Sequence, residues 1–289
     1  MHDDPTLPLS AFIICKDEAD YLGGCIESLA CCAEIVIVDS GSTDGTLDLI
    51  ESYTAQGYPI RLHERGWPGY AAQKQFALEQ CTQQWCLNID ADERLDRALV
   101  AALPELLNAP KHVVGWKIAR RPFLIGYGYT PERAHERRNL RLIRRGQGAY
   151  DLSLKVHEGI VPEGDVKPSQ KGSLLHFRPL PLDEQILKEN TYSSLKADMQ
   201  MEKGRQPSLI KLLFSPATYF LRLYFRTGLW RCGVPGLIQA MTGAAYSFMT
   251  EAKKFERKAL RDGPPVEQGA EVWWRQTQTV SAREVEEEA

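Results

Sequence analysis

Apolar residues in this chain fall into short solid runs separated by stretches in which they recur every third or fourth position, the pattern of buried strands alternating with helices. Leu9 to Cys15 (Leu-Ser-Ala-Phe-Ile-Ile-Cys) is a β-rich run that stops in Lys16-Asp17-Glu18. Asp20 to Cys31 carries Leu22, Ile26 and Leu29 at helical spacing. Glu34-Ile35-Val36-Ile37-Val38 predicts a second buried strand. The loop after it, Asp39-Ser40-Gly41-Ser42-Thr43-Asp44-Gly45-Thr46, combines turn-forming glycines with a helix N-cap, and Leu47, Ile50 and Tyr53 continue as a helix. Ile60 to His63 predicts a third strand, Ala71 to Cys81 a helix with Phe76 and Leu78 inward, and Trp85 to Ile89 a fourth strand. Such alternation predicts an α/β fold with a doubly wound, mostly parallel sheet and helices on both faces.

Further on, Asp96 to Leu107 predicts a helix, Val113 to Ile118 a strand, Gly126-Tyr127-Gly128-Tyr129 a mobile loop, Leu174 to Phe177 a late strand and Leu182 to Lys203 a helix. From Leu209 the texture changes: Leu212, Leu213, Phe214, Tyr219, Phe220, Tyr224, Phe225 and Trp230 are interleaved with Lys211, Arg222, Arg226 and Arg231. This mixture suits a helical hairpin packed on the core. It suits better an interfacial segment, with aromatic rings at headgroup level and cations toward anionic lipid. After Phe255 the chain turns polar, through Pro264-Pro265 to Glu286-Glu287-Glu288, which predicts a disordered tail. The expected organisation is a flexible N-terminus over 1–8, an α/β domain over 9–205, an amphipathic helical appendage over 206–258 and the tail over 259–289.

The chemistry concentrates where Trp85-Cys86-Leu87-Asn88-Ile89 ends in Asp90-Ala91-Asp92-Glu93-Arg94. In open α/β sheets ligands collect beyond the carboxyl ends of strands, so Asp90 and Asp92 are expected to face a substrate crevice. Like charges this close are mutually unfavourable in a low-dielectric cleft unless a cation lies near them. A hard divalent ion, Mg²⁺ or Mn²⁺, bridging to substrate phosphates meets that need. An Asp-x-Asp pair also arises in ordinary surface turns; a second apolar strand ending in Asp39 favours the functional reading. Between Lys117 and Arg145, Arg120, Arg121, Arg133, Arg137, Arg138, Arg141, Arg144 and Arg145 crowd the chain. Such a run is usually a solvated face, yet beside an acidic metal site an arginine fork holds phosphate bidentately. His157 and His176, taken singly, read as structural.

Composition narrows the class. A chain of 289 residues that is 43% hydrophobic and 25% charged buries a substantial core, and a net charge of -3 argues against a general nucleic-acid binder. The cysteines, 7 in all, lack the C-x-x-C spacing of a zinc or redox site and read as reduced thiols of a cytosolic protein. Met1-His2-Asp3-Asp4-Pro5 has neither the basic start nor the apolar run of a signal peptide, so a cytoplasmic location is expected. The longest uncharged stretch, Cys232 to Thr250, is broken by Gly233, Pro235, Gly236 and Gly243 and makes a poor membrane span.

With Ile-Ile-Cys-Lys-Asp-Glu, Ile-Val-Ile-Val-Asp-Ser-Gly-Ser-Thr-Asp-Gly-Thr, Gly-Tyr-Ala-Ala-Gln-Lys-Gln-Phe-Ala-Leu and Asn-Ile-Asp-Ala-Asp-Glu-Arg in order, the chain resembles the family 2 glycosyltransferases of GT-A fold. Within them it is most similar to the bacterial lipopolysaccharide-core β-glucosyltransferase group, over roughly residues 9 to 255. The resemblance implies a nucleotide-diphosphate sugar donor, UDP-linked by default, a glycan or lipid-linked glycan acceptor, a divalent metal and a peripheral place on the inner face of the cytoplasmic membrane. It implies nucleotide contacts from Lys16, Asp17, Glu18, Asp39, Asp44, Gln73, Lys74 and Asp90. Asp92 and His176 are implied at the metal, Glu158 or else Asp151 as the base, and Arg138 and Arg141 at acceptor or phosphate. The region from Phe123 to Leu140 departs from the group's aromatic-glycine pattern, which leaves the acceptor open. A phosphohydrolase of the haloacid dehalogenase type also places Asp-x-Asp after an apolar strand, but Arg94 stands where its motif has Thr or Val. A non-catalytic nucleotide-sugar-binding or membrane-scaffold protein of the same fold is the other rival.

Overall fold

A computed structural model describes residues 6–131, 138–152 and 159–262. The first strands form where the apolar runs predict them: β1 (Leu7–Cys15), β2 (Cys32–Asp39), β3 (Ile60–Glu64) and β4 (Trp85–Asn88) alternate with α1 (Ala19–Ser28), α2 (Thr46–Ala55) and α3 (Tyr70–Gln80). Their runs are solid because both faces are covered. Leu9, Ala11 and Ile13 of β1 join Ile35 and Ile37 of β2 in a core closed by Leu22, Ile26 and Leu29. The intervening Phe12, Val36 and Val38 pack on the other face against Ala77 and Leu78.

Beyond β4 the chain adds β5 (Glu93–Leu95), α4 (Arg97–Leu107), β6 (Val113–Leu124), β7 (Gly128–Tyr129), β8 (Arg138–Arg144), β9 (Gly148–Tyr150), β10 (Ile160–Pro162) and β11 (Asp165–His176). The main sheet runs β3-β2-β1-β4-β8-β6-β11-β5, with β7 turned back on β6, and β9 pairs with β10 separately. From β3 to β4 the pairs are parallel. Then β8 lies antiparallel to β4 and to β6, β11 parallel to β6, and β5 antiparallel to β11. The sheet is therefore mixed, which corrects the mostly parallel expectation. The rule that strands alternating with helices run parallel applies where a helix lies between successive strands, and among the described residues no helix lies between β6 and β11. Gly126-Tyr127 forms the turn that folds β7 onto β6, pairing Phe123 with Tyr129.

One glycine positions the site. Gly172, at φ +74°, lies where β11 presses on the start of α4, and a Cβ there would stand 2.3 Å from the Leu99 backbone. The close approach lets Asp96 cap α4 through Leu99 N (2.7 Å) while its other oxygen accepts from Ser173 Oγ (2.8 Å). Gly172→Ala combines a left-handed backbone with a collision. The expected cost is about 2–4 kcal/mol, read as a lower urea midpoint; an unchanged midpoint would contradict this packing.

The molecule divides into two compact units. The first holds the residues through Leu180 together with Thr227–Pro235; the second holds Pro181–Arg226 and the chain from Gly236. The second unit contains α5 (Leu182–Glu202), α6 (Leu209–Leu221), a π-helical turn (Arg222–Arg226) and most of α7 (Gly233–Asp262). Inside it, Lys253 Nζ donates to Asn190 O and Oδ1 (both 2.6 Å) and to Ser193 and Ser194 Oγ (both 2.8 Å), tying α7 to α5. Lys254, fully buried, pairs with Glu251 at 3.1 Å and donates to Gln206 O. In contrast, α6 has no buried residue. Among the described residues no helix is long and apolar enough to cross a membrane.

Candidate active site

Because β1, β2 and β4 are parallel and in register, with Cys15 opposite Asp39 and Phe12 opposite Asn88, their following loops gather at one edge. The first two loops are laced together. Asp39 is fully buried; its Oδ2 accepts from Gly41 N (2.7 Å) and Ser42 N (2.9 Å), and its Oδ1 from Ser42 Oγ. Asp17, held at φ 53°, accepts from Thr43 N at 2.7 Å. Asp44 accepts from Ala19 N (3.1 Å) and from Thr46 N (3.0 Å) and Oγ1 (2.6 Å); the Thr46 hydroxyl foremost holds its carboxyl below the usual range. These three expected nucleotide contacts thus spend their carboxylates on shaping the loops. Lys16 is exposed beside them. Gln73 is buried and donates to Ser40 Oγ (3.1 Å) and Arg65 O (3.2 Å), while its Oε1 is buried without a hydrogen-bond partner among the described residues.

The end of β4 is a charge network. Asp90 pairs through Oδ1 with Lys74 (3.2 Å) and through Oδ2 with Arg141 (3.0 Å). Arg141 is buried on β8 and also reaches Asn88 Oδ1 (2.8 Å) and Glu93 Oε1 (2.9 Å). Arg120 Nε stands 2.7 Å from that same Glu93 oxygen, a charge contact off the hydrogen-bonding line. Burial pushes the Asp90 carboxyl up, but Arg141 and Lys74 overcome it and hold the group well below the ordinary carboxylate range. For Glu93, fully buried, burial wins over Arg141 and its carboxyl is raised.

Asp92 faces a different set. Its Oδ2 lies 3.0 Å from His176 Nε2 and 3.3 Å from Arg178 Nη1. The last residues of β11 are placed there by pairing with β5, His176 opposite Glu93, and by a hydrogen bond from Phe177 N to Asp92 O (2.8 Å). Burial raises the Asp92 carboxyl, and the hydrogen bond and charge of His176 more than offset that, leaving it lowered. Arg178 Nη1 also reaches Glu18 Oε1 at 3.4 Å, while Glu18 Oε2 is buried without a hydrogen-bond partner among the described residues and burial raises that carboxyl. Among the described residues no three His, Cys, Asp or Glu side chains form a metal cage. Asp92 and His176 converge from two elements, a carboxylate and an imidazole 3.0 Å apart. That donor set fits a divalent ion whose remaining ligands arrive on a substrate diphosphate.

Of the other expected residues, Arg141 lies within the Asp90 network. Arg138 donates to Ser169 O on β11, and Arg141 is an internal partner of Asp90 with no free fork for a phosphate. Asp151 is half-buried and follows β9, whose Tyr150 N donates to Gln75 Oε1 (2.9 Å). Glu158 and His157 lie outside the described residues. A cleft of about 480 Å³ bordered by Gln84, Lys111, Arg144, Arg145 and Gln147 sits at the opposite end of β4 and contains none of them. Sequence reasoning missed Asn88, Glu93 and Arg178. The first two flank the Asp-x-Asp pair and carried a readable signal; Arg178 had only its place two positions after His176.

Residues 10–156 match the model of Glycosyl transferase family 2. The chain is 68% identical over 263 residues, spanning 91% of it and 97% of the relative, to the lipopolysaccharide core biosynthesis glycosyltransferase LpsC of Rhizobium meliloti (strain 1021). It is 29% identical over 259 residues, 86% of each chain, to an uncharacterized glycosyltransferase of Rickettsia bellii (strain RML369-C). Among solved structures, the mannosyltransferase PcManGT from Pyrobaculum calidifontis in complex with GDP-Man and Mn²⁺ superposes with a TM-score of 0.49 at 13% identity, covering 96% of this chain and 83% of that one. The protein is a glycosyltransferase with a GT-A-like α/β fold, a mixed sheet and a C-terminal helical region. The chain belongs to glycosyl transferase family 2.

Proposed function

We propose that this enzyme is an inverting hexosyltransferase that moves a hexose, glucose by default, from a UDP-sugar to a hydroxyl of a lipopolysaccharide-core acceptor by metal-assisted single displacement. The observation that carries the reading is the Asp92–His176 contact at 3.0 Å beside an Asp90 kept ionised by Lys74 and Arg141. The acceptor class is supported by the 68% identity to a lipopolysaccharide core biosynthesis glycosyltransferase. Asp92 and His176 would hold Mg²⁺ or Mn²⁺, which when bound neutralises charge on the departing diphosphate. Asp90, with both oxygens anchored, is a fixed acceptor for a donor ribose hydroxyl, and the laced loops carrying Lys16 and Ser40 to Ser42 wall the nucleotide pocket. Glu158, or in its place Asp151, would take the acceptor proton as the acceptor oxygen attacks the anomeric carbon and the bond to the diphosphate breaks. One in-line displacement converts an α-linked donor into a β-glycoside. Incubation with UDP-glucose, Mn²⁺ and core-truncated lipopolysaccharide is expected to give a β-linked product; an α-linked product, or no transfer from any nucleotide sugar, would contradict the reading.

The charge and exposure of the chain after α5 support an acceptor at a membrane surface. Between Glu202 and Glu251 the chain has no acidic residue, while Lys203, Arg205, Lys211, Arg222, Arg226 and Arg231 are basic. Within that stretch α6 exposes Ile210 (72%) and Phe214 (62%). An apolar helix with no buried residue and cationic flanks fits an anionic lipid surface, lying in the interface on the cytoplasmic side of the membrane. The protein should float with anionic liposomes at low salt, and the pair Ile210→Glu, Phe214→Glu should weaken this about tenfold or more. Indifference of the wild type to anionic liposomes would remove the membrane role and leave the transferase reading standing.

A further inference from the structure

We propose that Arg178 is the resident counter-ion of the metal site: its guanidinium holds the Glu18 and Asp92 carboxylates together before the donor arrives, then turns to the donor diphosphate as the divalent cation takes its place. This deepens the donor reading above and rests on it.

The geometry of the hold is that of a placeholder. Arg178 Nη1 sits between Glu18 Oε1 at 3.4 Å and Asp92 Oδ2 at 3.3 Å. Both contacts are long beside the roughly 2.7–2.9 Å of a strong charge-assisted hydrogen bond. The side chain is 44% exposed, and among the described residues only Nη1 is engaged by carboxylates, so most of the fork is unspent. Beneath it the Tyr21 ring lies 5.1 Å from Arg178 Cζ, a face along which the guanidinium can pivot without losing its cation–π contact. The carboxylates, by contrast, are anchored. Asp92 is fixed on its other side by His176 and through its backbone by Phe177, and Glu18 N is held by Thr46 Oγ1 at 2.9 Å. Among the described residues the buried Glu18 Oε2 has no hydrogen-bond partner.

Charge counting explains the exchange. Two carboxylates share a single guanidinium nitrogen, Arg178 Nη1. A divalent cation in place of the guanidinium cancels both carboxylates and releases an arginine at the edge of the site, where a diphosphate brings the negative charge it can pair with. Metal and arginine therefore compete for Asp92 when no nucleotide is present, and cooperate once a diphosphate is.

The test uses the full-length protein with Arg178→Met, which keeps the stem over Tyr21, and Arg178→Lys, which keeps the charge. Mn²⁺ binding without nucleotide is followed by the electron paramagnetic resonance of free Mn²⁺, and UDP binding at saturating Mn²⁺ by calorimetry. The methionine variant should bind Mn²⁺ alone about tenfold more tightly and UDP about tenfold more weakly than wild type. The lysine variant should move both affinities the same way by less, and it decides the matter if the methionine variant does not fold. A merely structural arginine would weaken both affinities or neither, and any result other than opposite shifts overturns the proposal. A wild type that binds UDP in a metal-dependent way, with variants that fail to split the two affinities, overturns the counter-ion role alone. A wild type that binds no UDP overturns the donor reading as well.

Discussion

Asp92→Asn is expected to lower kcat/KM for sugar transfer by about three orders of magnitude while leaving the melting temperature near that of wild type. The substitution is isosteric, and an amide oxygen still accepts from His176 and Arg178, so the backbone bond from Phe177 N and the pairing of β5 with β11 persist. Only the charge is lost. That charge is the one carboxylate at the end of β4 that faces His176 and is not already cancelled by the buried pair Lys74 and Arg141. Removing one preorganised electrostatic partner of a developing negative charge typically costs about 100- to 1,000-fold, and losing a metal ligand belongs at the upper end. Steady-state rates at saturating Mn²⁺ and a thermal melt on the same preparation check both halves. A variant that retains transfer within about tenfold would place the metal elsewhere.

Arg141→Met should cost about 3–5 kcal/mol of stability, the second large effect. Arg141 joins Asn88, Asp90 and Glu93, and its removal leaves the fully buried Glu93 with a hydrogen bond from Asp90 N (3.0 Å) and the off-line Arg120 contact as its remaining cation. A typical domain has roughly 5–15 kcal/mol in hand, so much of the protein should be unfolded at moderate urea. Lysine at this position cannot replace a fork that serves three acceptors from one buried point. Adding Glu93→Gln to Arg141→Met removes the stranded charge and should restore part of the loss, a coupling visible in a double-mutant cycle on urea midpoints. Independent, additive effects would show that the two groups do not share a network.

The Arg141 network also shows where sequence reasoning stops. A run of arginines reads as a solvated face, yet β8 shifts register against β6 between Leu140 and Leu142 and buries Arg141 in the sheet next to β4. The alternating first part of the fold was legible because each of β1 to β4 is a solid apolar run with a helix between neighbours. The mixed half was not, because β8, β6, β11 and β5 pair across long sequence separations with no periodic signal to name the partner. In the site, Asp90 and Asp92 were legible from strand-end chemistry alone, and His176 only through the family resemblance. Asp17, Asp39 and Asp44 lie in the loops after β1 and β2, and the bonds that lace those loops together, Thr43 N to Asp17 and Ala19 N to Asp44, cross sequence separations that no spacing in one chain reveals. Arg178 is a lone cation after a strand, and its meaning comes only from Glu18 and Asp92, each remote in sequence.

The central claim is that Asp92 couples a divalent ion to a nucleotide diphosphate, and calorimetric titration of UDP tests it most directly. Wild type should bind UDP with Mn²⁺ or Mg²⁺ far more tightly than in chelator, and Asp92→Asn should bind it equally weakly in both. UDP binding that is indifferent to metal in the wild type, or a metal dependence that survives in Asp92→Asn, would contradict the account.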